Sequence, residues 1–417
     1  MKFACTLTIG NRQLATIPIY AKEKPSKSTL ALCKHPNKDA YFMLLFNNQN
    51  PHGKKYQVTG NVLSVRMNFV SEGKATLQFE APPHDFYIQT KEILKLRVFL
   101  HAVRRSILGG SVPGSISSTL DVIPSSAKNF PRTKLVIKKR SDYPSKGFPR
   151  TLEYLQINDI DRSSLDQGIL KLTRLVSLDL SRNCIEFLPT EFCNLTRLRE
   201  LNLSHNMFGK SQPAQWGWIN GAVAKNLKLL NLCHNNLTFL PDNFIKFHKL
   251  ITLHLDHNQL KSLPSGMGNM NHLLVFTISY NSLETLPGTV KRWKLSNIDL
   301  SHNKFITSRV SDSDSSKKIP PKLCTLKEYA GRTVLNYRVR YGPCTLPATL
   351  INYLEHAKYC VCGRACFEVY FEGMDRLYLQ AIAKSYTHTS QSPRIPISCY
   401  FCSVHCFVKY KLRFAIT

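Results

Sequence analysis

The 417-residue sequence is poor in acidic residues, with 27 aspartates and glutamates against 56 lysines and arginines, and its formal net charge is +29. It also lacks an apolar run long enough to span a membrane. Its first residues do not form the apolar core of a signal peptide. We therefore expect a chain that stays inside the cell and has no membrane partner, with its 13 cysteines present as reduced thiols or metal ligands.

Motifs of catalysis are also missing. No Ser/His/Asp or Cys/His nucleophile arrangement, phosphate-binding glycine loop or pair of catalytic carboxylates stands out. Helix-turn-helix and zinc-finger spacings are absent too. These absences predict a protein that is not an enzyme and reads no specific nucleic-acid sequence, although its positive charge attracts acidic partners.

What the sequence does contain is a recurring phrase, L-x-x-L-x-L-x-x-N-x-Φ-x-x-L-P, between Leu175 and Phe305. Its asparagines follow one another at intervals of 23, 29, 23, 23 and 22 residues, a period typical of leucine-rich repeats. They are Asn183, Asn206, Asn235, Asn258, Asn281 and Asn303. Each L-x-L is expected to form a short strand with its leucines in the core, and each asparagine to satisfy backbone groups buried at the corner.

The variable positions of these strands are small, polar or acidic in an otherwise basic chain. Stacked repeats place such positions on one curved face, so we expect this face to recognise a protein. The residues concerned are Ser177, Asp179, Glu200, Asn202, Asn231, Thr252, His254, Asp256, Thr277, Asn297 and Asp299.

The one long interval carries two of the three tryptophans of the chain, Trp216 and Trp218. Aromatic rings usually pack, so the insert can bury both rings in the repeats. Insertions in repeat proteins also cluster on binding faces, so it can instead form a partner-binding bulge.

Beyond the repeats, the sequence predicts a multidomain α/β protein. Strand-like runs up to about Tyr87, followed by an amphipathic helix at Glu92–Arg105, indicate an N-terminal β domain of pleckstrin-homology type. The predicted segments are this domain at 1–105, a linker at 106–132, leucine-rich repeats with an N-terminal cap at 133–307, a second linker at 308–321, two short helices at 322–357 and a Cys-rich β module at 358–417.

The Cys-rich module contains two C-x-x-x-C pairs. Four thiolates that converge in a reducing compartment suggest a structural zinc site, and the predicted ligands are Cys362, Cys366, Cys402 and Cys406. Cys360, Cys399 and His405 are substitute ligands in this hypothesis. The alternative is that the cysteines are buried free thiols that pack as small hydrophobic residues.

Several phrases of the sequence resemble the leucine-rich repeat protein 1 family, also called peptidylprolyl isomerase-like 5. They are Ser71–Thr76, Asn129–Phe130, Val136–Ile137, Asp142–Pro144, Phe148–Pro149, Cys360–Arg364 and Tyr400–Ser403. The resemblance implies a substrate receptor of a cullin-2 RING ubiquitin ligase that resides in the nucleus and marks the chromatin-bound replicative helicase when replication ends.

The resemblance also implies that segment 322–357 is a box that binds elongin B/C and cullin-2. The elongin-binding phrase matches Thr325, Leu326, Ala330 and Val334, with alanine where the family most often has cysteine. The cullin-binding phrase matches Leu346, Pro347 and Leu350. From spacing alone, the same two helices can simply cap the repeats. The repeats and the basic charge are also compatible with two other functions, a repeat scaffold that binds a GTPase or phosphatase without a cullin partner, and a direct nucleic-acid binder.

Overall fold

A computed structural model describes residues 2–12, 25–34, 40–48, 50–107, 133–145, 147–210, 213–306, 324–337, 339, 341–342, 345–368, 370–389 and 394–414. The chain divides into two compact units, Met1–Pro131 and Arg132–Thr417. The predicted linker 308–321, and 106–132 beyond its first two residues, lie outside the described residues. Among the described residues, no helix combines the length and apolar character needed to cross a membrane.

The first unit is an antiparallel sheet with one helix packed on it. Its elements are β1 Lys2–Asn11, β2 Ser26–Lys34, β3 Tyr41–Asn47, β4 Asn50–Gln57, β5 Val62–Arg66, β6 Lys74–Phe79, β7 His84–Gln89 and α1 Ile93–Ile107. The strand order is β4-β3-β2-β1-β7-β6-β5. Leu96, Phe99 and Val103 of α1 are buried in the same core as Leu7 and Phe86 of the sheet. The predicted β domain with one amphipathic helix is thus present.

The second unit contains the repeats and the C-terminal segment. Its elements are β8 Lys134–Ile137, β9 Tyr154–Ile157, α2 Gln167–Leu170, β10 Ser177–Asp179, β11 Glu200–Asn202, α3 Ala222–Asn226, β12 Leu229–Asn231, β13 Thr252–His254, β14 Val275–Thr277, β15 Leu286–Pro287, β16 Leu295–Asp299, α4 Leu326–Asn336, α5 Ala348–Glu355, β17 Lys358–Tyr359, β18 Ala365–Cys366, β19 Phe371–Tyr378, β20 Ala383–Thr387, β21 Arg394–Phe401 and α6 Val404–Phe414.

The repeat strands form one parallel sheet of order β20-β16-β14-β13-β12-β11-β10-β9-β8. The corner asparagines act as predicted. The amide nitrogen of Asn258 donates to the carbonyls of Leu232, Leu255 and Asp256 at 2.8–3.2 Å. Its amide oxygen accepts the backbone N–H of Leu237 at 3.0 Å. Because the side chain replaces hydrogen bonds that the turn removes, the buried corner remains satisfied.

The tryptophan insert packs into the repeats. Trp218 is fully buried and Trp216 is 7% exposed. The Trp218 ring lies edge-on to Phe192, with centroids 5.7 Å apart, and Trp216 lies edge-on to Phe244 at 6.2 Å. Of the two interpretations of the insert, burial in the repeats is the one realised.

The C-terminal segment differs from the predicted separate module, because it continues the repeat fold. β20 pairs in parallel with β16, the last repeat strand, and β21 pairs with β15. Leu379, Ile395 and Phe401 belong to the same core as the repeat leucines. The last coil of a solenoid would otherwise expose its leucines, and this segment covers them.

Candidate docking surfaces and metal centre

The predicted substrate-binding residues lie along one side of the repeat sheet. Those that remain partly accessible are Ser177, Asp179, Asn202, Asn231, His254, Asp256, Thr277, Asn297 and Asp299. The prediction is wrong for Glu200 and Thr252, which are only 8% and 5% exposed. Glu200 lies between Ser177 and Leu229, and Thr252 lies between Leu229 and Val275, at the first paired position of their strands.

Asp256 is the most constrained acidic group of this face. Its carboxylate accepts the backbone N–H and the hydroxyl of Ser279 at 2.7 and 2.8 Å, and also the hydroxyl of Thr277. The thiol of Cys233 donates to it at 3.4 Å. Because four donors hold the carboxylate, its position is set before any partner binds, which lowers the entropy cost of a contact with it.

A ladder of stacked rings runs beside this face, and the sequence analysis missed it. The rings of His205, His234, His257, Tyr280 and His302 stack in that order with centroids 4.1–4.3 Å apart. All five residues have a φ of 51–55° and all are exposed. The signal was available, since each of them directly precedes a corner asparagine. Burial, followed by the neighbouring His205 and His257, lowers the pKa of His234.

The residues of the elongin-binding phrase run along α4 from its N-cap, Thr325, to Val334. The Thr325 hydroxyl caps the helix by accepting the N–H of Glu328 at 3.2 Å. Leu326 is 84% exposed, Ala330 is also exposed and Val334 is half-buried. Glu328, on the opposite side, is fully buried. A surface helix ordinarily buries its apolar side, so α4 is oriented the opposite way.

The residues of the cullin-binding phrase lie at the start of α5. Pro347 is exposed and forms the N-cap, Leu346 is half-buried and Leu350 is 37% exposed. The other side of the helix is attached to the repeats, because Leu354 is buried and Glu355 accepts an ion pair from Lys246 at 2.8 Å. Each phrase therefore lies on a helix whose other side is packed against the rest of the second unit.

A cluster of four cysteines lies beside these helices. The sulfur atoms of Cys360, Cys362, Cys402 and Cys406 are all within 4.8 Å of one another. The Cys362–Cys402 and Cys402–Cys406 sulfur distances are 3.8 and 3.6 Å. A zinc ion bonded to four sulfurs at about 2.3 Å requires sulfur atoms about 3.8 Å apart, so the cluster has the size of a tetrahedral metal site.

The chemistry of the cluster suits a metal as well as its size does. The backbone N–H of Cys362 donates to the Cys360 sulfur at 3.4 Å, a bond that favours a thiolate. Hydrogen bonds from the thiols of Cys360 and Cys402 lower the pKa of Cys362, and the hydrogen bond with Cys362 in turn raises the pKa of Cys360. Cys406 lies in the first turn of α6, where backbone N–H groups favour negative charge.

The structure corrects one of the four predicted ligands. Cys362, Cys402 and Cys406 come together as predicted, but Cys360 takes the place of Cys366. Cys366 pairs with Lys358 across the β17–β18 hairpin, and its thiol donates to the Lys358 carbonyl at 3.5 Å. The real pattern is C-x-C followed by Gly363 at φ 89°, which turns the chain between the two strands. Neither Cys399 nor His405 belongs to the cluster.

Comparison with known proteins finds family models for the N-terminal β domain and for the repeats. The family model described as the LRR1 pleckstrin homology domain matches residues 1–119, and leucine-rich repeat models match residues 150–208, 226–247 and 248–305. In solved structures, a leucine-rich repeat protein of Leptospira interrogans is 26% identical, covers 38% of this chain and 51% of its own, and has a TM-score of 0.27.

Two curated relatives match almost the whole chain. Leucine-rich repeat protein 1 of Mus musculus is 31% identical and the match covers 98% of this chain and 99% of the relative. The protein of the same name from Homo sapiens is 32% identical, with 98% of each chain covered. The match joins the N-terminal β domain, the repeats and the C-terminal segment in one alignment. The chain therefore belongs to the leucine-rich repeat protein 1 family.

Proposed function

We propose that this chain is the substrate-recognition subunit of a ubiquitin ligase that contains elongin B/C, cullin-2 and a RING subunit. The observation that carries the proposal is the orientation of α4, which exposes 84% of Leu326 to solvent while Glu328 is fully buried. Apolar side chains aligned on an exposed helix face are typical of a helix that docks on a partner. Leu350 extends the same kind of surface onto α5.

In this proposal the repeats hold the substrate and the chain performs no chemistry itself. The polar face with Asp256 at its centre and the stacked rings beside it suit protein recognition. By resemblance to the family, the substrate is the chromatin-bound replicative MCM helicase, and the chain acts in the nucleus. Binding both proteins at once raises the effective concentration of the loaded ubiquitin-transfer enzyme at substrate lysines.

We also propose that the four-cysteine cluster holds one structural zinc ion. The sulfur separations of 3.6 and 3.8 Å, and the all-sulfur ligand set, support zinc over a hard cation such as Mg²⁺. The ligands are Cys360, Cys362, Cys402 and Cys406. All four positions are filled by protein, which is the arrangement of structural rather than catalytic zinc.

The proposal is tested by capture of purified elongin B/C. The full chain should retain the elongin pair, and Leu326→Ser should abolish retention without affecting the fold, since this side chain makes little contact within the chain. Leu63→Ser is the matched control, because Leu63 is 59% exposed on the N-terminal unit. A scaffold without a cullin partner would retain no elongin in any form, and equal retention by the three proteins would also contradict the proposal.

A further inference from the structure

The inner side of α4 is attached by polar bonds to the segments that carry the cysteine cluster. Arg332 pairs with the buried Glu328 at 2.6 Å and also donates to the carbonyl of Cys402 at 3.2 Å. The Glu328 carboxylate accepts the backbone N–H of Phe367 at 3.2 Å. A buried ion pair is stable only while its hydrogen-bonding partners stay in place, so the position of α4 depends on Cys402 and Phe367.

The far end of α4 depends on the same hairpin. The Asn336 amide oxygen accepts the backbone N–H of Ala365 at 3.0 Å. In the middle of the helix, a β-carbon on Gly331 would lie 3.0 Å from the ring of Phe367, so a larger residue there would push the ring away by a few tenths of an ångström. Ala365 and Phe367 follow Cys362 by three and five residues. The contacts that hold the helix therefore begin a few residues from a cluster sulfur.

The cluster joins two segments that are distant in sequence. Cys360 and Cys362 lie in the β17–β18 hairpin, whereas Cys402 and Cys406 follow β21 and are about 40 residues away. Besides the cluster, Cys360 forms an isolated bridge with Tyr400, and the Val361 N–H donates to the Tyr400 carbonyl at 2.9 Å. A tetrahedral ion bonded to both segments would fix the hairpin relative to Cys402, and α4 is hydrogen-bonded to both.

We infer that metal bound by Cys360, Cys362, Cys402 and Cys406 fixes the orientation of α4, so that capture of the elongin pair depends on metal. The inference rests on the proposed function of α4 and adds that bound metal controls its binding of the elongin pair. Zinc binding displaces the thiol protons to solvent and forms four zinc–sulfur bonds. Without the ion the repeats keep their own leucine core, but among the described residues the hairpin is joined to the Cys402 segment only through the backbone pairing at Tyr400. The apolar side of α4 is then held less firmly in its orientation.

The test uses the full chain in its zinc-loaded form, after chelation under reducing conditions, and after zinc is returned. Bound zinc is quantified, and the affinity for purified elongin B/C is measured by calorimetry. We expect one zinc per chain, an affinity weaker by about tenfold or more after chelation, and full recovery with zinc. Circular dichroism should show that the repeats remain folded in all three states.

Two variants separate the metal from the cysteines as such. Cys362→Ala removes an exposed ligand and should reduce both zinc content and elongin affinity. Cys366→Ser, in the same hairpin but outside the cluster, keeps a donor for the Lys358 carbonyl and should leave both unchanged. A chain without zinc as purified, or a zinc-free chain that binds elongin as tightly as the loaded one, would overturn the inference while leaving the proposed function intact. Failure of the zinc-loaded chain to bind elongin would instead contradict the proposed function.

Discussion

Leucine side chains are buried in the repeats, whereas Leu326 of α4 is exposed to solvent. In the repeats, Leu230 and Leu253 are fully buried while polar side chains line the accessible face. In α4, Leu326 is 84% exposed and Glu328 is fully buried. Burial of apolar surface stabilises a fold and burial of a charge costs free energy, so the repeats are arranged for their own stability. In the proposed function, a partner covers Leu326, which would account for the arrangement of α4.

The largest effect is expected when a leucine of the repeat core is replaced, and the same change in α4 provides the comparison. Leu253→Ala leaves a cavity in the repeat core and should lower the free energy of unfolding of the second unit by up to about 5 kcal/mol. Leu326→Ala should change it by less than about 0.5 kcal/mol, because the side chain is exposed. Chemical denaturation of both variants measures the difference. Equal losses would show that Leu326 is part of the core and that the contrast does not hold.

A smaller effect is expected from the buried charge. Glu328→Ala leaves Arg332 without its ion-pair partner and should destabilise α4 by about 3 kcal/mol. Hydrogen exchange of the α4 amides measures this locally. The matched control is Glu72→Ala, which breaks an ion pair with Lys74. Both side chains of that pair are about half exposed, so the variant should lower the free energy of unfolding by at most about 1 kcal/mol. Unchanged protection of α4 would mean that the ion pair does not hold the helix.

The smallest effect concerns the one acid buried on the repeat face. Burial raises the pKa of Glu200 to about 7 from an ordinary value of 4.5. The folded chain therefore binds this proton more tightly than the unfolded chain, and stability contributed by the group is lost as the pH rises from about 4.5 to about 7. Glu200→Gln should remove a loss of up to about 3 kcal/mol. Thermal unfolding at pH 4.5 and pH 8 should show that the variant is more stable relative to the natural chain only at pH 8. A constant difference would contradict the assignment.

The repeats could be predicted from the sequence because every coil uses the same local arrangement of residues. The corner asparagine, the inward leucines and the register of neighbouring strands all follow from a period of about 23 residues. The helix over Glu92–Arg105 was predictable for a related reason, because apolar residues recur at the three- and four-residue spacing of its buried side.

Long-range pairing was harder to predict. The pairing of β20 with β16 joins segments more than 80 residues apart, and no periodic signal in the sequence marks it. The exchange of Cys360 for Cys366 as a cluster member has a similar cause, because a hairpin turn at Gly363 decides which cysteine faces the cluster. Spacing also fixed which residues of α4 share a side, but whether that side faces solvent depends on Arg332 and Cys402, which are 70 residues apart.

The most direct test of the account is ubiquitylation of the replicative helicase in a reconstituted reaction with cullin-2, its RING subunit and elongin B/C. The account predicts that ubiquitin conjugates on the helicase require this chain and are lost with Leu326→Ser, while Leu63→Ser supports normal conjugation. Helicase conjugation that is the same with the natural chain, with Leu326→Ser and with no chain at all would contradict it.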